Sequence, residues 1–177
     1  MDEEKTVERK QIYHGRVIQL RVDTVSVPGG KTKQREIVVH PGAAAIVALK
    51  EEEVLLVEQY RKAVESTTLE IPAGTLEAGE SPEECASREL IEETGFQVSN
   101  IEKLVAFFPS PGFSSEVIHI FKASGLTKVP DYEPELAILF LPLAELLARI
   151  RTGELKDGKT VIGVLMASAF CTDSYHE

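Results

Sequence analysis

The chain alternates short apolar runs with Gly, Pro and charged residues, a pattern typical of strands joined by turns. The run from Tyr13 to Val27 is rich in β-branched residues and stops at Pro28-Gly29-Gly30. Further strands are predicted at 35–40, 43–50, 54–61, 68–74, 103–108, 116–123 and 136–142. We therefore expect a structure in which strands outnumber helices.

Three segments predict helices. The clearest runs from about Pro82 to Thr94, because Ser81 suits an N-cap, Pro82 suits the first helical position, Glu84 completes a capping box and Gly95 suits the C-terminal end. Two more helices are predicted at 143–153 and 159–171. Many strands before two helices, with one helix inserted between them, predict an α/β fold of the α+β or mixed-sandwich kind rather than a doubly wound parallel sheet.

Composition and charge narrow the function. The 177 residues are ordinary for one soluble domain, and the net charge of −10 argues against non-specific binding to nucleic acid or an anionic membrane. Cys85 and Cys171 have neither a disulfide-framework spacing nor a zinc spacing. The N-terminus is charged and lacks the apolar stretch of a signal peptide, so we expect a cytoplasmic protein.

The segment from Gly74 to Phe96 carries seven Glu. On the predicted helix, Glu89, Glu92 and Glu93 share one face, and the last turn is the wrong end of the helix dipole for carboxylates. Arg88 is spaced to hold Glu84 or Glu92 in place. Two interpretations remain open on the residues alone: a solvated acidic face of purely structural role, or a site for a divalent cation such as Mg²⁺.

The spacing of this segment decides between them. Gly74, Glu80, Arg88-Glu89-Leu90, Glu92-Glu93 and Gly95-Phe96 match every position of the Nudix hydrolase signature, so the chain is identified as resembling that family. The resemblance implies a Nudix-type α/β/α sandwich with a mixed sheet, plus N-terminal antiparallel strands. It also implies a loop–helix–loop that binds two or more Mg²⁺ ions, with Mn²⁺ as a substitute.

Motifs outside this segment resemble the ADP-ribose pyrophosphatase subgroup of that family. They are REIVVHPGA (35–43), VEQYR (57–61), LEIPAG (69–74), SPGFSSE (110–116) and DGKT (157–160). The resemblance implies hydrolysis of ADP-ribose, and of related nucleoside diphosphate sugars, to AMP and ribose 5-phosphate. It also implies one domain over 1–177, with dimer-forming strands in 1–36 and the catalytic core in 37–177.

The resemblance further assigns catalytic and metal-binding roles. Catalytic roles fall to Glu92, Glu93 and Arg88, with Glu133 as the general base. The metal ligands implied are the carbonyl of Ala73 and the carboxylates of Glu89, Glu92, Glu93 and Glu135. Glu133 and Glu135 belong to DYEPEL (131–136), for which a polar surface loop is the alternative interpretation.

Seven residues are implied to bind substrate. Arg61 resembles the arginine that contacts the diphosphate, and its alternative is a surface ion pair with Glu58 or Glu65. Arg35 and Glu36 resemble the pair that recognises adenine. The remaining four are Glu70, Pro111, Gly112 and Glu116, of which Glu116 resembles the residue that reaches the terminal ribose.

Two other functions remain open at this point. The first is a Nudix enzyme for NADH, another nucleotide sugar or an oxidised nucleoside triphosphate. The second is a regulator that binds ADP-ribose without cutting it, although such proteins usually lose acids that are all present here. Members of the subgroup are typically homodimers, and the apolar 16–27 segment is compatible with that state.

Overall fold

The computed structural model describes residues 4–171, and their contacts divide into two units. The first unit contains the chain up to Gly42 together with Phe108–Val117. The second contains Ala43–Phe107 and the chain from Ile118 onward.

The first unit is built on an antiparallel sheet of β1 (Lys5–His14), β2 (Gln19–Val27) and β3 (Lys31–Val39), in that order. The segment predicted as one extended run from Tyr13 is interrupted by a turn in which the Gly15 N–H donates to the Ile18 carbonyl. The resemblance predicted strands within 1–36, but the apolar pattern predicted only Tyr13 and His14 of β1. All residues of β1 are exposed, so its sequence carries no buried apolar alternation.

The second unit contains most of the strands. Seven of them are β4 (Ala43–Lys50), β5 (Glu53–Arg61), β6 (Ser66–Glu70), β7 (Ala73–Thr75), β9 (Asn100–Phe107), β10 (Ile118–Ser124) and β12 (Ala137–Pro142). Within residues 43–171, they form one mixed sheet in the order β12-β5-β4-β10-β9, with β6 beside β5 and β7 beside β4. Its only parallel pair in the described residues is β4 with β10. A separate short pair joins β8 (Phe96–Gln97) to β11 (Thr127–Lys128).

Helices cover both faces of this sheet. On one face α1 (Pro82–Thr94) buries Cys85, Ala86 and Leu90 against β4, β5 and β10. On the other face α2 (Leu143–Thr152) and α3 (Gly158–Cys171) bury Leu146 and Val164 over the opposite side chains of the same strands. The predicted α/β/α sandwich with a mixed sheet is confirmed.

One predicted strand is divided in a way that matters for the site. The segment predicted at 68–74 forms β6 and β7, separated at Ile71-Pro72. Proline has no N–H for a ladder, and its carbonyl instead accepts from the Ile46 N–H at 3.0 Å. The chain thereby leaves β5 and joins β4, which carries Ala73 and Gly74 to α1.

The close approach of α3 to the sheet gives a stability prediction. A Cβ on Gly163 would lie 2.8 Å from Val47 Cγ2 and 3.1 Å from Ile71 Cδ1, both in the core. Gly163→Val should therefore lower the free energy of unfolding by about 1–3 kcal/mol, measured by urea denaturation. Gly158→Val is the matched control, because a Cβ there meets nothing within 4 Å. Equal stability of the two variants would contradict the packing argument.

Candidate active site

The helix α1 begins and ends where its local signals predict. The Ser81 side chain accepts from the Glu84 N–H, the Glu84 side chain accepts from the Ser81 N–H, and Pro82 occupies the first turn. Gly95 ends the helix in the left-handed conformation, with φ of 69°, and its N–H donates to the Ile91 carbonyl at 2.8 Å. Because both ends are fixed, the acidic residues between them have defined directions.

Arg88 holds three carboxylates of the segment. Its guanidinium donates to both oxygens of Glu80 at 2.7 and 2.9 Å, and its Nη1 donates to Glu89 at 2.7 Å and to Glu92 at 3.1 Å. The hydrogen bonds from Arg88 to Glu80 lower the pKa of Glu80 to about 2. The predicted pairing with Glu92 is confirmed, whereas the proposed pairing with Glu84 is wrong because the Glu84 carboxylate caps Ser81.

Glu93 is the buried acid of the helix. Only 6% of the residue is exposed, and its carboxylate accepts a hydrogen bond of 3.1 Å from the Ala73 N–H. Burial raises the pKa of Glu93 to about 7, and the nearby charge of Glu89 adds to the rise despite that hydrogen bond. Within residues 4–171, the Glu93 carboxylate forms no ion pair, and the charges of Lys159 and Arg61 act on it only from a distance.

Glu89 lies against the backbone at Gly74. A Cβ at Gly74 would overlap the Glu89 carboxyl group, so this position requires glycine for the close approach rather than for a positive φ. Burial also raises the pKa of Glu89, even though Arg88 opposes the rise. Two carboxyl groups with raised pKa values thus adjoin β7 at Ala73 and Gly74.

The chemistry of this cluster fits a hard divalent cation. The predicted ligands are all oxygen atoms, the kind that Mg²⁺ prefers, and a cation would remove the cost of burying Glu89 and Glu93. Among the described residues, no three His, Cys, Asp or Glu side chains surround one point as a formed metal site. Two of the predicted ligands, Glu89 and Glu92, bind Arg88 there.

The loop that carries the predicted base contacts the end of α1 through its backbone. The Glu135 N–H donates to the Glu92 carbonyl at 3.1 Å, and the Leu136 N–H donates to the Glu93 carbonyl at 3.3 Å. These bonds use carbonyls that the last turn of a helix leaves free. The side chains of Glu133 and Glu135 are exposed, so both carboxylates are available beside the helix end that carries Glu92 and Glu93.

Arg61 pairs with Glu70. Its Nε and Nη2 donate to the two Glu70 oxygens at 2.7 and 2.6 Å, so the alternative partners Glu58 and Glu65 are wrong. Glu65 instead pairs with Lys62. The Arg61 side chain is 42% exposed, which leaves part of the guanidinium open to a ligand.

Glu70 is buried and has further donors. Its side chain is 3% exposed, and it accepts from the Thr68 hydroxyl at 2.5 Å and from the Lys159 ammonium. Burial raises the pKa of Glu70, but hydrogen bonds from Arg61 and Lys159 outweigh that effect and set it at about 2. In the free protein Glu70 therefore contacts Arg61 rather than solvent.

The other predicted substrate residues belong to the first unit. Arg35 forms an ion pair with Glu4, and Glu36 is exposed on the same strand. Pro111 and Gly112 are exposed in a turn that is closed by a 2.9 Å bond from the Ser114 N–H to the Ser110 carbonyl. Glu116 lies 3.7 Å from the ring of His40.

Comparison with known proteins identifies the family. The NUDIX domain family matches residues 38–161, most of the chain. The chain belongs to the Nudix family. It is 46% identical to the methanol dehydrogenase activator of Bacillus methanolicus and 42% identical to the ADP-ribose pyrophosphatase of Bacillus subtilis. Each match covers 92% of this chain and 91% of the relative.

A solved structure, described as that of an ADP compounds hydrolase, resembles this Nudix chain with a TM-score of 0.87. The match covers 99% of this chain and 97% of that one at 21% identity. At that identity the likeness shows the shared fold.

Some residues of the Nudix site were not assigned a role from the sequence. Lys159 and Asp157 bind each other at 3.0 Å, and Lys159 also binds Glu70. The signal that could have found them is DGKT at the start of the last helix, where Asp157 accepts from the Thr160 N–H at 3.0 Å as a cap does. Glu70, which binds Lys159, is 89 residues away from it in the sequence, a separation over which local pattern predicts no pairing.

Proposed function

We propose that this protein hydrolyses the diphosphate bond of ADP-ribose to AMP and ribose 5-phosphate, with Mg²⁺ as cofactor. The observation that carries the proposal is the buried carboxyl group of Glu93, fixed by the Ala73 N–H beside Glu89. The ADP-ribose pyrophosphatase of Bacillus subtilis, which matches over most of both chains, supports ADP-ribose as the substrate.

In this mechanism the chain binds the diphosphate and takes a proton. The ligands of Mg²⁺ would be the carbonyl of Ala73 and the carboxylates of Glu89, Glu92, Glu93 and Glu135. Bound Mg²⁺ supplies neutralisation of the diphosphate and a more acidic water. Arg61 binds phosphate oxygens through its planar fork, and Glu133 accepts the proton of the attacking water.

Further substrate contacts are proposed for residues outside the acidic helix. Arg35 and Glu36 are proposed to bind the adenine, and Glu116 the terminal ribose, since a carboxylate accepts from ribose hydroxyls. The turn at Pro111 and Gly112 is proposed to hold Glu116 in place. Glu70 is proposed to meet the substrate only indirectly, by holding Arg61 until the diphosphate binds, because its own oxygens are occupied.

The test is direct. Incubation with ADP-ribose and Mg²⁺ should yield AMP, and an excess of EDTA should abolish the product because the diphosphate charge is then unneutralised. A parallel panel of GDP-mannose, NADH and an oxidised nucleoside triphosphate, followed by chromatography, should give slower turnover. Absence of AMP from ADP-ribose with Mg²⁺ present would reject the proposal. Faster cleavage of another compound would identify that compound as the preferred substrate.

A second candidate follows from the relative at 46% identity, which is named as an activator of methanol dehydrogenase. This chain would then act on a dehydrogenase as a regulator. Adding the protein to a methanol dehydrogenase and measuring the rate of methanol oxidation tests this function. Activation that survives Glu93→Gln would favour a binding role, whereas activation that is lost with that change would require hydrolysis.

We also propose that residues 1–177 act as one Nudix domain in a cytoplasmic homodimer, with 1–36 forming the dimer contact and 37–177 the catalytic core. Val7, Ile12 and Tyr13 in β1 are exposed apolar side chains that a second copy would cover. Cys85 is a buried free thiol, as expected in a reducing compartment. Among the described helices, none has the length and apolar character needed to cross a membrane.

A further inference from the structure

The buried Glu70 carboxylate binds two cations, Arg61 and Lys159. Arg61 uses Nε and Nη2 on its two oxygens, and the Lys159 ammonium binds Oε2 as well. The two cations differ in exposure: the Arg61 side chain is 42% exposed, whereas that of Lys159 is 10% exposed. Arg61 can therefore meet a ligand, while Lys159 is enclosed.

Lys159 is also fixed where it is. Its ammonium binds Asp157 at 3.0 Å, and Asp157 accepts from the backbone N–H of Thr160 in the first turn of α3. The Thr160 hydroxyl, in turn, accepts from the Ile71 N–H at 2.9 Å, which ties that turn to the residue after Glu70. These bonds hold Lys159 against Glu70 and away from solvent.

Arg61 and Lys159 both compensate the negative charge of Glu70. A buried carboxylate that loses its only cation is strongly destabilising, so an arginine paired alone with Glu70 would resist transfer to a phosphate. With Lys159 present, Glu70 keeps a cation when Arg61 turns toward a ligand. The set of Arg61, Lys159, Glu70 and Asp157 is neutral overall, so removing Lys159 makes it negative and removing the Glu70 charge makes it positive.

We propose that Lys159 is a positioning residue that compensates Glu70, so that the charge of Arg61 is available to the diphosphate of the substrate. This inference rests on the proposed function, in which Arg61 binds the diphosphate. Lys159 itself touches no substrate. It acts through Glu70 and Arg61.

The test uses Lys159→Met, Glu70→Gln and the double variant in the full chain. Lys159→Met should raise KM for ADP-ribose about tenfold with kcat little changed, because one compensating charge is lost beside the diphosphate. Glu70→Gln should leave KM equal or lower, because Arg61 is no longer held by a charge. The double variant should return KM to within about twofold of the wild type, since the set is neutral again.

Equilibrium binding separates this inference from the proposed function. The dissociation constant of ADP-ribose, measured by calorimetry in a Glu93→Gln background, should follow the same order among the variants. If the wild type does not hydrolyse ADP-ribose, the proposed function is wrong. The dissociation constants of the variants still test whether Lys159 affects binding of ADP-ribose. If the wild type is active and Lys159→Met binds ADP-ribose as tightly as the wild type, the Lys159 inference falls alone.

Two controls exclude a merely structural effect. Lys62→Met removes a lysine from the exposed pair with Glu65 and should leave KM unchanged. Thr160→Val removes the hydroxyl bonds to Asp157 and Ile71 but keeps the charge of Lys159 and its bond to Asp157, so it should lower the melting temperature and raise KM by much less than Lys159→Met does.

An increase in KM for Thr160→Val as large as that for Lys159→Met would overturn the inference. So would a double variant that binds no better than Lys159→Met. If Lys159→Met does not fold, Glu70→Gln decides: a raised KM in that variant shows that Glu70 helps Arg61 bind and contradicts the compensation.

Discussion

Replacing Glu93 with Gln is expected to lower the turnover of ADP-ribose by about 10²–10³-fold, because a charged group that stabilises the transition state through the bound cation is lost. The amide keeps the size of the side chain and an oxygen that accepts from the Ala73 N–H. It also relieves the cost of burying a carboxylate at a position that is 6% exposed. The variant should therefore fold normally, with a melting temperature in EDTA no lower than that of the wild type.

Three measurements check this expectation. Steady-state kinetics gives kcat, circular dichroism confirms the fold, and a thermal melt with added Mg²⁺ reports the metal. The wild type should gain stability with Mg²⁺ because ligands of the folded state stabilise it, and Glu93→Gln should gain less. Glu83→Gln is the control, since Glu83 is exposed in the first turn of the same helix. A folded Glu93→Gln protein with near wild-type turnover would show that this acid is not a metal ligand.

The acidic helix was predictable because the signals that define it are local. Ser81 and Glu84 act at the first turn of the helix and Gly95 acts at its last turn. Each residue forms the cap that the sequence predicts. Its partners were predicted less well. Glu80 lies in the loop before the helix, and its carboxylate accepts from the Arg88 guanidinium. Helical spacing cannot predict this contact because Glu80 is outside the helix.

Long-range pairing explains most of what the sequence did not predict. Lys159 meets Glu70 only because α3 and β6 come together in the fold, and the division of 68–74 depends on a bond between Ile46 and Pro72. Most of strand β1 gave no signal for a different reason. Its ladder with β2 uses backbone groups, and its exposed side chains carry no periodic pattern.

The cost of like charges on α1 was a sound reason to expect a cation, but the protein supplies part of the compensation itself. Arg88 binds Glu80, Glu89 and Glu92, so a structural role explains those three acids without a metal. Glu93 is different, since its carboxylate accepts from a backbone N–H and burial raises its pKa to about 7. Glu93 therefore indicates a metal site more strongly than the number of acids does.

Glu133→Gln is expected to lower kcat by about 10²–10⁴-fold while KM stays nearly constant, because a general base acts on the attacking water and contributes little to substrate binding. The side chain is exposed, and the backbone of the same loop is bonded to the last turn of α1 at Glu135 and Leu136. The change should therefore affect neither the fold nor the position of the loop.

The matched control is Glu135→Gln, two residues away in the same exposed segment. Glu135 is proposed as a metal ligand, so its loss should raise the Mg²⁺ concentration needed for half-maximal rate, whereas Glu133→Gln should leave that concentration unchanged. If Glu133→Gln keeps the wild-type kcat, the proton is accepted elsewhere, and the two carboxylates that remain beside the end of α1, Glu135 and Glu93, become the candidates.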